Sequence, residues 1–224
     1  MVVGQPGATP TTLLLMRHAE TEDNVNMRLS GWTDTDLSVR GESQIGLLAD
    51  HFNRQHGHID ALYSSPLIRA RRTAEAIGAL TGHTPILIDD LREMYFGELD
   101  GRPFEELREA YSHLLEADEN SDLQDFMWPG GESRSSFSAR ALGVINTIAG
   151  HHRGRSVGVV THGGVIATLL TLLHGESAAN WRRWVVPNAS LTEVVWDAET
   201  QSGSLVRHGD ASHLEALAPF ESDA

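Results

Sequence analysis

The 224-residue sequence predicts an α/β fold, a three-layer α/β/α sandwich around a mostly parallel sheet. Three observations carry that prediction. Short aliphatic runs alternate along the chain with longer stretches whose apolar residues recur at helical spacing. Two of the runs, Thr12–Met16 (TLLLM) and Ser156–Thr161 (SVGVVT), are apolar almost throughout, as strands covered on both faces must be. Both lead directly into a histidine, His18 and His162, at what reads as a strand-to-turn junction. Open parallel sheets bind ligands beyond the carboxyl ends of their strands, so the two rings are expected to share one crevice.

The elements follow in order. After a loose start over Met1–Thr12, the first strand, Thr12–Met16, gives way to a polar stretch from Arg17 to Val39 that is long for a loop and therefore expected to be functional. Gly41–Phe52 carries Ile45, Leu48, Ala49 and Phe52 on one helical face. Ile59–Ser64 reads as a strand stopped by Ser65-Pro66, and Leu67–Leu80 as a helix turning Ala70, Ala74, Ile77 and Leu80 inward. Pro85–Ile88 is a short strand, Leu91–Arg102 is irregular, and Pro103–Leu115 is a helix with proline in its first turn. Asp118–Gly131, acidic with Trp128 and a Pro-Gly-Gly turn, reads as a mobile surface segment before the helix Glu132–Ala149. Ser156–Thr161 is the central strand and Val165–Leu173 the helix after it. Ala178–Val186, with Trp181 and Trp184, reads as packing or an interface, strands Leu191–Trp196 and Leu205–Arg207 complete the order, and Glu221–Ala224 is a frayed tail.

Length and composition suit one domain over residues 1–224, with its core at about 12–214. No apolar run approaches the roughly 20 residues that span a bilayer, and the start lacks the features of a secretory signal, so a cytoplasmic protein is expected. Cysteine is absent, which excludes thiolate nucleophiles, thiolate metal sites and disulfides. Lysine is absent too: all 17 basic residues are arginine, excluding a P-loop lysine and Schiff-base chemistry. The net charge of −14 argues against nucleic acid or an anionic membrane as partner. A local anion site would have to gather arginines, which draws attention to Arg17 and to Arg69, Arg71 and Arg72.

Six blocks carry candidate chemistry. They are Arg17-His18-Ala19-Glu20-Thr21-Glu22-Asp23-Asn24; Gly31-Trp32-Thr33-Asp34 with Leu37-Ser38 and Gly41; Ser64-Ser65-Pro66-Leu67-Ile68-Arg69-Ala70 with Thr73-Ala74; Leu91-Arg92-Glu93 with Gly97 and Asp100-Gly101; Pro129-Gly130-Gly131-Glu132-Ser133; and Thr161-His162-Gly163-Gly164. In this order they resemble the histidine phosphatase superfamily, also called phosphoglycerate mutase-like, and span most of the chain. The resemblance implies that His18 takes the phosphoryl group, that Arg17, Asn24, Ser30, Gly31, Arg69, His162 and Gly163 contact its oxygens, and that Glu93 is the general acid and then the base. It implies no cofactor and no metal. Physical chemistry agrees with these residue types, because a phosphomonoester needs its oxygens neutralised and its nucleophile held in line, and an arginine fork stays charged while bonding in pairs. A carboxyl that exchanges protons near neutrality works best when partly buried or beside another carboxylate; Glu98 and Asp100 are the sequence neighbours available.

The chain departs from the family pattern in three places. Ala19 replaces a commoner glycine and requires a negative φ; Asp36 stands where proline is common and Arg72 where glutamine is common. Blander readings compete with the functional ones. His18 could be a satisfied core histidine, His162 and Asn24 a cap and a turn residue, Glu93 a surface carboxylate, and Arg69 one member of a solvated face. The twelve histidines invite a metal reading through His151-His152 or His18 with His162, but no HExxH helix, carboxylate cluster or thiolate accompanies them. Asp34-Thr35-Asp36 lacks the preceding apolar strand that a phosphoaspartate motif needs.

The expected activity is metal-independent hydrolysis of a small phosphomonoester through a phosphohistidine. A phosphoglycerate mutase and a non-catalytic phospho-ligand module are the alternatives. A mutase must hold its departing product under a basic lid, and the stretch between Glu93 and Glu132 is short, acidic and without lysine. A homodimer through an edge strand or the tryptophan-bearing segment is the one macromolecular partner the sequence suggests.

Overall fold

A computed structural model describes residues 9–120 and 126–217. The frayed tail and the middle of the acidic segment expected at Asp118–Gly131 lie outside the described residues. Six strands, β1 (Thr11–Arg17), β2 (Ala61–Ser64), β3 (Ile86–Leu87), β4 (Ser156–Thr161), β5 (Leu191–Asp197) and β6 (Ser202–Asp210), form one sheet in the order β3-β2-β4-β1-β5-β6. The first four strands run parallel to one another, and β5 and β6 close one side antiparallel.

Alternation along the central strands builds two cores. Leu13 and Leu15 of β1 and Val157 and Val159 of β4 face one side, against helices α6 (Arg134–His151) and α7 (Gly163–Leu173). Leu14, Met16 and Val160 face the other, against α2 (Val39–His56) and α3 (Ile68–Thr81). A side-chain period of two on a strand covered on both faces requires this continuous apolar run, and it yields the three layers expected. A third cluster, centred on Leu107, Trp128 and Phe137, sits beyond the sheet.

The structure corrects several expectations. The helix expected over Pro103–Leu115 is two helices, α4 (Phe104–Ala110) and α5 (Ser112–Asn120), broken at Tyr111, whose φ of −132° leaves the helical region while its ring packs on the third cluster. Pro103 is the N-cap of α4 and not its first residue, which suits a residue without an N–H to cap. Leu80, at the last turn of α3, is exposed, whereas Ala70, Ala74 and Ile77 are buried as expected. Trp128, expected on a mobile surface, is only 3% exposed. The long polar stretch also contains a one-turn helix, α1 (Glu22–Val25), fixed by a reciprocal capping box between Thr21 and Asn24.

Candidate active site

The parallel register of β1 on β4 pairs Arg17 with Thr161, so the next residue of each strand leaves the sheet beside the other. That register joins His18 to His162. The His18 N–H donates to the Thr161 carbonyl at 3.0 Å, and the two rings lie 5.1 Å apart between centroids. The adjacent strand β2 ends in the same place: the Ser65 N–H donates to the Val160 carbonyl, and Ser65 Oγ lies 2.8 Å from His162 Nε2. Its continuation opens α3, which carries Arg69 in the first turn. Three neighbouring strand ends thus bring together residues from three distant parts of the chain.

The His18 ring has one assignable orientation. Its Nδ1 lies 2.7 Å from the Ala19 carbonyl oxygen, which can only accept, so Nδ1 carries the hydrogen and a neutral ring presents Nε2 as a lone pair. Burial, reinforced by the charges of Arg69 and Arg17, holds the His18 pKa well below the usual imidazole range. His162 is lowered in the same way, by burial first and then by Arg69, His18 and Arg17. Both rings are therefore neutral at neutral pH. Ala19 does not fall among the residues with positive φ, which meets the condition its substitution for glycine sets, and its methyl is buried in the core.

The arginines are held rigidly. Arg17 donates through Nη1 to the Val186 carbonyl at 2.6 Å, and its Nε is buried without a hydrogen-bond partner. Arg69 donates from Nη1 to the Thr33 carbonyl at 2.9 Å and from Nη2 to the Gly31 carbonyl at 2.7 Å, again with a buried, unpartnered Nε. Burial lowers the pKa of both guanidinium groups while the charge of Glu93 opposes it. Glu93 itself is clamped: one carboxylate oxygen accepts from the Gly164 N–H and the other from the Met94 N–H, both at 2.9 Å. Glycine at 164 leaves room for this clamp, since a Cβ there would sit 2.9 Å from Glu93 Cδ and closer still to Oε1, and the carboxyl would have to move. Asn24 Oδ1 accepts from the Thr21 N–H and from Asn188 Nδ2, each at 3.1 Å, so the amide NH2 is the end left to offer an anion.

Arg17, His18, Asn24, Ser30, Glu93 and Gly163 line one cavity of about 330 Å³, and His162 and Arg69 are buried beside His18 beneath it. Gly31, like Arg69 and His162, does not line this cavity. Its N–H is donated to Asp100 Oδ1 at 2.8 Å and its carbonyl accepts from Arg69, so it acts as a support for Arg69 and not as an anion donor. Asp100 also accepts from the Trp32 N–H and the Thr33 hydroxyl, which makes it the clamp of the 31–33 turn and not a neighbour for Glu93.

Reading the sequence missed several supports. Arg140 donates to the carbonyls of Asp90, Arg92 and Glu93 and pairs with Glu132, fixing the backbone beneath the Glu93 carboxyl. Asn188 ties the His18 carbonyl to Asn24. Trp181, expected as packing, lines the cavity. None of these carries a local sequence signal, because each acts across a long loop closure. Among the described residues, no group of three or more His, Cys, Asp or Glu could hold a metal ion. Among the same residues, no helix is long and apolar enough to cross a membrane.

Comparison with known proteins places this geometry. Residues 13–211 match the model of the histidine phosphatase superfamily (branch 1). The chain is 32% identical over 214 residues to a metal-independent phosphoserine phosphatase of Arabidopsis thaliana, covering 92% of this chain and 84% of that protein. It is also 32% identical over 207 residues to a probable phosphoglycerate mutase of Escherichia coli, covering 91% and 95%. Among solved structures, Bacillus stearothermophilus YhfR superposes with a TM-score of 0.82 at 28% identity, covering 92% of this chain and all (100%) of the other.

Proposed function

The chain belongs to the histidine phosphatase superfamily and is a phosphatase, and from that premise we propose how its residues divide the work. His18 Nε2 attacks the phosphorus of a small phosphomonoester; the N–P bond forms as the bond to the leaving oxygen breaks, and the protonated Glu93 carboxyl gives its hydrogen to the departing alkoxide. Water then attacks the phosphohistidine, Glu93 takes the water proton, and the N–P bond breaks to restore neutral His18. Arg17, Arg69, His162, Asn24 and Ser30 neutralise and orient the phosphoryl oxygens through both steps. If the Ser65 hydroxyl donates to His162 Nε2, the ring carries its hydrogen on the buried, unpartnered Nδ1, and that is the tautomer an anion selects.

The observation that carries the reading is the hydrogen bond from His18 Nδ1 to the Ala19 carbonyl. It fixes the tautomer whose Nε2 is nucleophilic, beside two buried arginines. A relative named for phosphoserine supports a small phosphorylated metabolite as substrate. We place the activity in the cytoplasm, consistent with the absence of cysteine, and in one domain, since a single sheet carries both cores. A hydrolase is favoured over a mutase because the acidic stretch between Glu93 and Glu132 supplies no lysine to retain a phosphorylated product.

The test is turnover of 4-nitrophenyl phosphate in excess EDTA, with rapid quench to trap phosphoenzyme. Hydrolysis and an acid-labile phosphoryl group on His18 are expected. Absence of both overturns the reading. Efficient formation of 2-phosphoglycerate from 3-phosphoglycerate with a bisphosphate primer, and little free phosphate, replaces it with a mutase.

A further inference from the structure

Resting on the hydrolase reading, we infer that the alcohol released carries a bulky, ring-bearing apolar body and not the short polar body of serine or glycerate. The cavity above His18, at about 330 Å³, is of the size that holds a small organic molecule as well as a phosphoryl group. Arg17, His18, Asn24, Ser30 and Glu93 gather at its floor; Arg28, Arg134 and Arg182 stand in the outer wall, most of whose surface is apolar and is made by Phe96, Phe104, Trp128, Phe137, Trp181 and Val185.

That wall is built before any ligand arrives. Trp128 is met edge-on by Phe96 and Phe126, with centroids 5.6 and 5.1 Å away, and is backed by the third core cluster. The Trp181 ring is flanked by the guanidinium groups of Arg134 and Arg182, at 5.2 and 4.7 Å from its centroid, which fixes its plane. A ligand with a planar, ring-bearing body would cover this apolar surface. Serine or glycerate, too short to cover it, would instead leave most of the aromatic surface in contact with water.

Three alkyl esters, which share a poor alkoxide leaving group, isolate the effect of the body: 2-phenylethyl phosphate, ethyl phosphate and phosphoserine, assayed with the full chain. The ratio kcat/KM is expected to be at least about tenfold higher for the phenylethyl ester than for either of the others, as burial of one ring predicts. Trp181→Ala is expected to cut that ratio at least about fivefold. Val185→Glu should do the same from the exposed lip of the cavity, where Val185 is 45% exposed and its replacement spares the core. Equal rates on the three esters, or a ratio that neither folded variant moves, overturn the inference while 4-nitrophenyl phosphate turnover leaves the hydrolase reading standing. Inertness toward all four esters overturns the reading beneath it.

Discussion

The floor and the wall of the cavity are built on opposite principles. On the floor, His18 and His162 stand at the ends of parallel strands, Arg69 in the first turn of α3 and Glu93 against the start of α7, and most of their polar atoms are bonded to backbone groups or, for His162, to the Ser65 hydroxyl. The wall comes from the segments between β3 and β4 and between α7 and β5, and it holds its aromatic rings by packing against one another and against arginines. The floor therefore tolerates little change, since displacing one partner exposes a buried polar atom, whereas the wall can exchange one apolar shape for another at modest cost. Chemistry sits on the rigid part and selectivity on the replaceable part.

The contrast is broken most directly at the nucleophile. His18→Ala is expected to reduce kcat by at least about a thousandfold on any ester, and a loss below about tenfold in steady-state assays would place the nucleophile elsewhere. Next in size, Glu93→Gln should slow alkyl phosphates by about a hundredfold or more and 4-nitrophenyl phosphate far less, because a good leaving group needs no proton; equal losses contradict the general-acid role.

Gly164→Ala sharpens the argument from geometry alone, since the added methyl must push the Glu93 carboxyl from its place. We expect a fall of about ten- to a hundredfold, with the same leaving-group dependence as Glu93→Gln and an unchanged melting curve. Stability should follow the floor as well. His18 and His162 have pKa values lowered in the fold, so the unfolded chain binds protons the native state refuses. Their contribution is complete above about pH 6.5 and is lost as pH falls below it, by at most about 1.4 kcal/mol per group for each pH unit. Urea titrations from pH 7.5 to 5.5 check this, and His162→Asn should flatten the slope.

The smallest effect lies outside both regions. Asp36 and Arg72, the two rim departures from the family pattern, meet: Arg72 Nη1 and Asp36 Oδ1 are 2.7 Å apart, and the same guanidinium also pairs with Glu42. They are one compensated change and not two. A double-mutant cycle of Asp36→Ala and Arg72→Gln should return a small coupling that salt weakens, and leave turnover on the floor untouched.

Legibility in the sequence followed the same division. The runs Thr12–Met16 and Ser156–Thr161 announced central strands because both faces are covered, and the histidines behind them marked the crevice. Tyr111 breaking a helix, Trp128 buried in an acidic stretch and Leu80 exposed at the end of an inward-facing helix were not legible, since each depends on where a neighbouring element ends. Gly31 was a phosphoryl contact by family resemblance, yet its N–H is donated to Asp100, a partner almost seventy residues away.

The sequence by itself determined the layered fold, the family and the exclusion of thiol and lysine chemistry, because periodicity, motif order and absence are properties of the chain alone. Only the tertiary structure decided the tautomer of His18, the clamps on Arg69 and Glu93 and the aromatic wall that faces the leaving group. Those depend on register between strands and on contacts across long loop closures, where the free energy of a position is set by residues the local sequence does not contain.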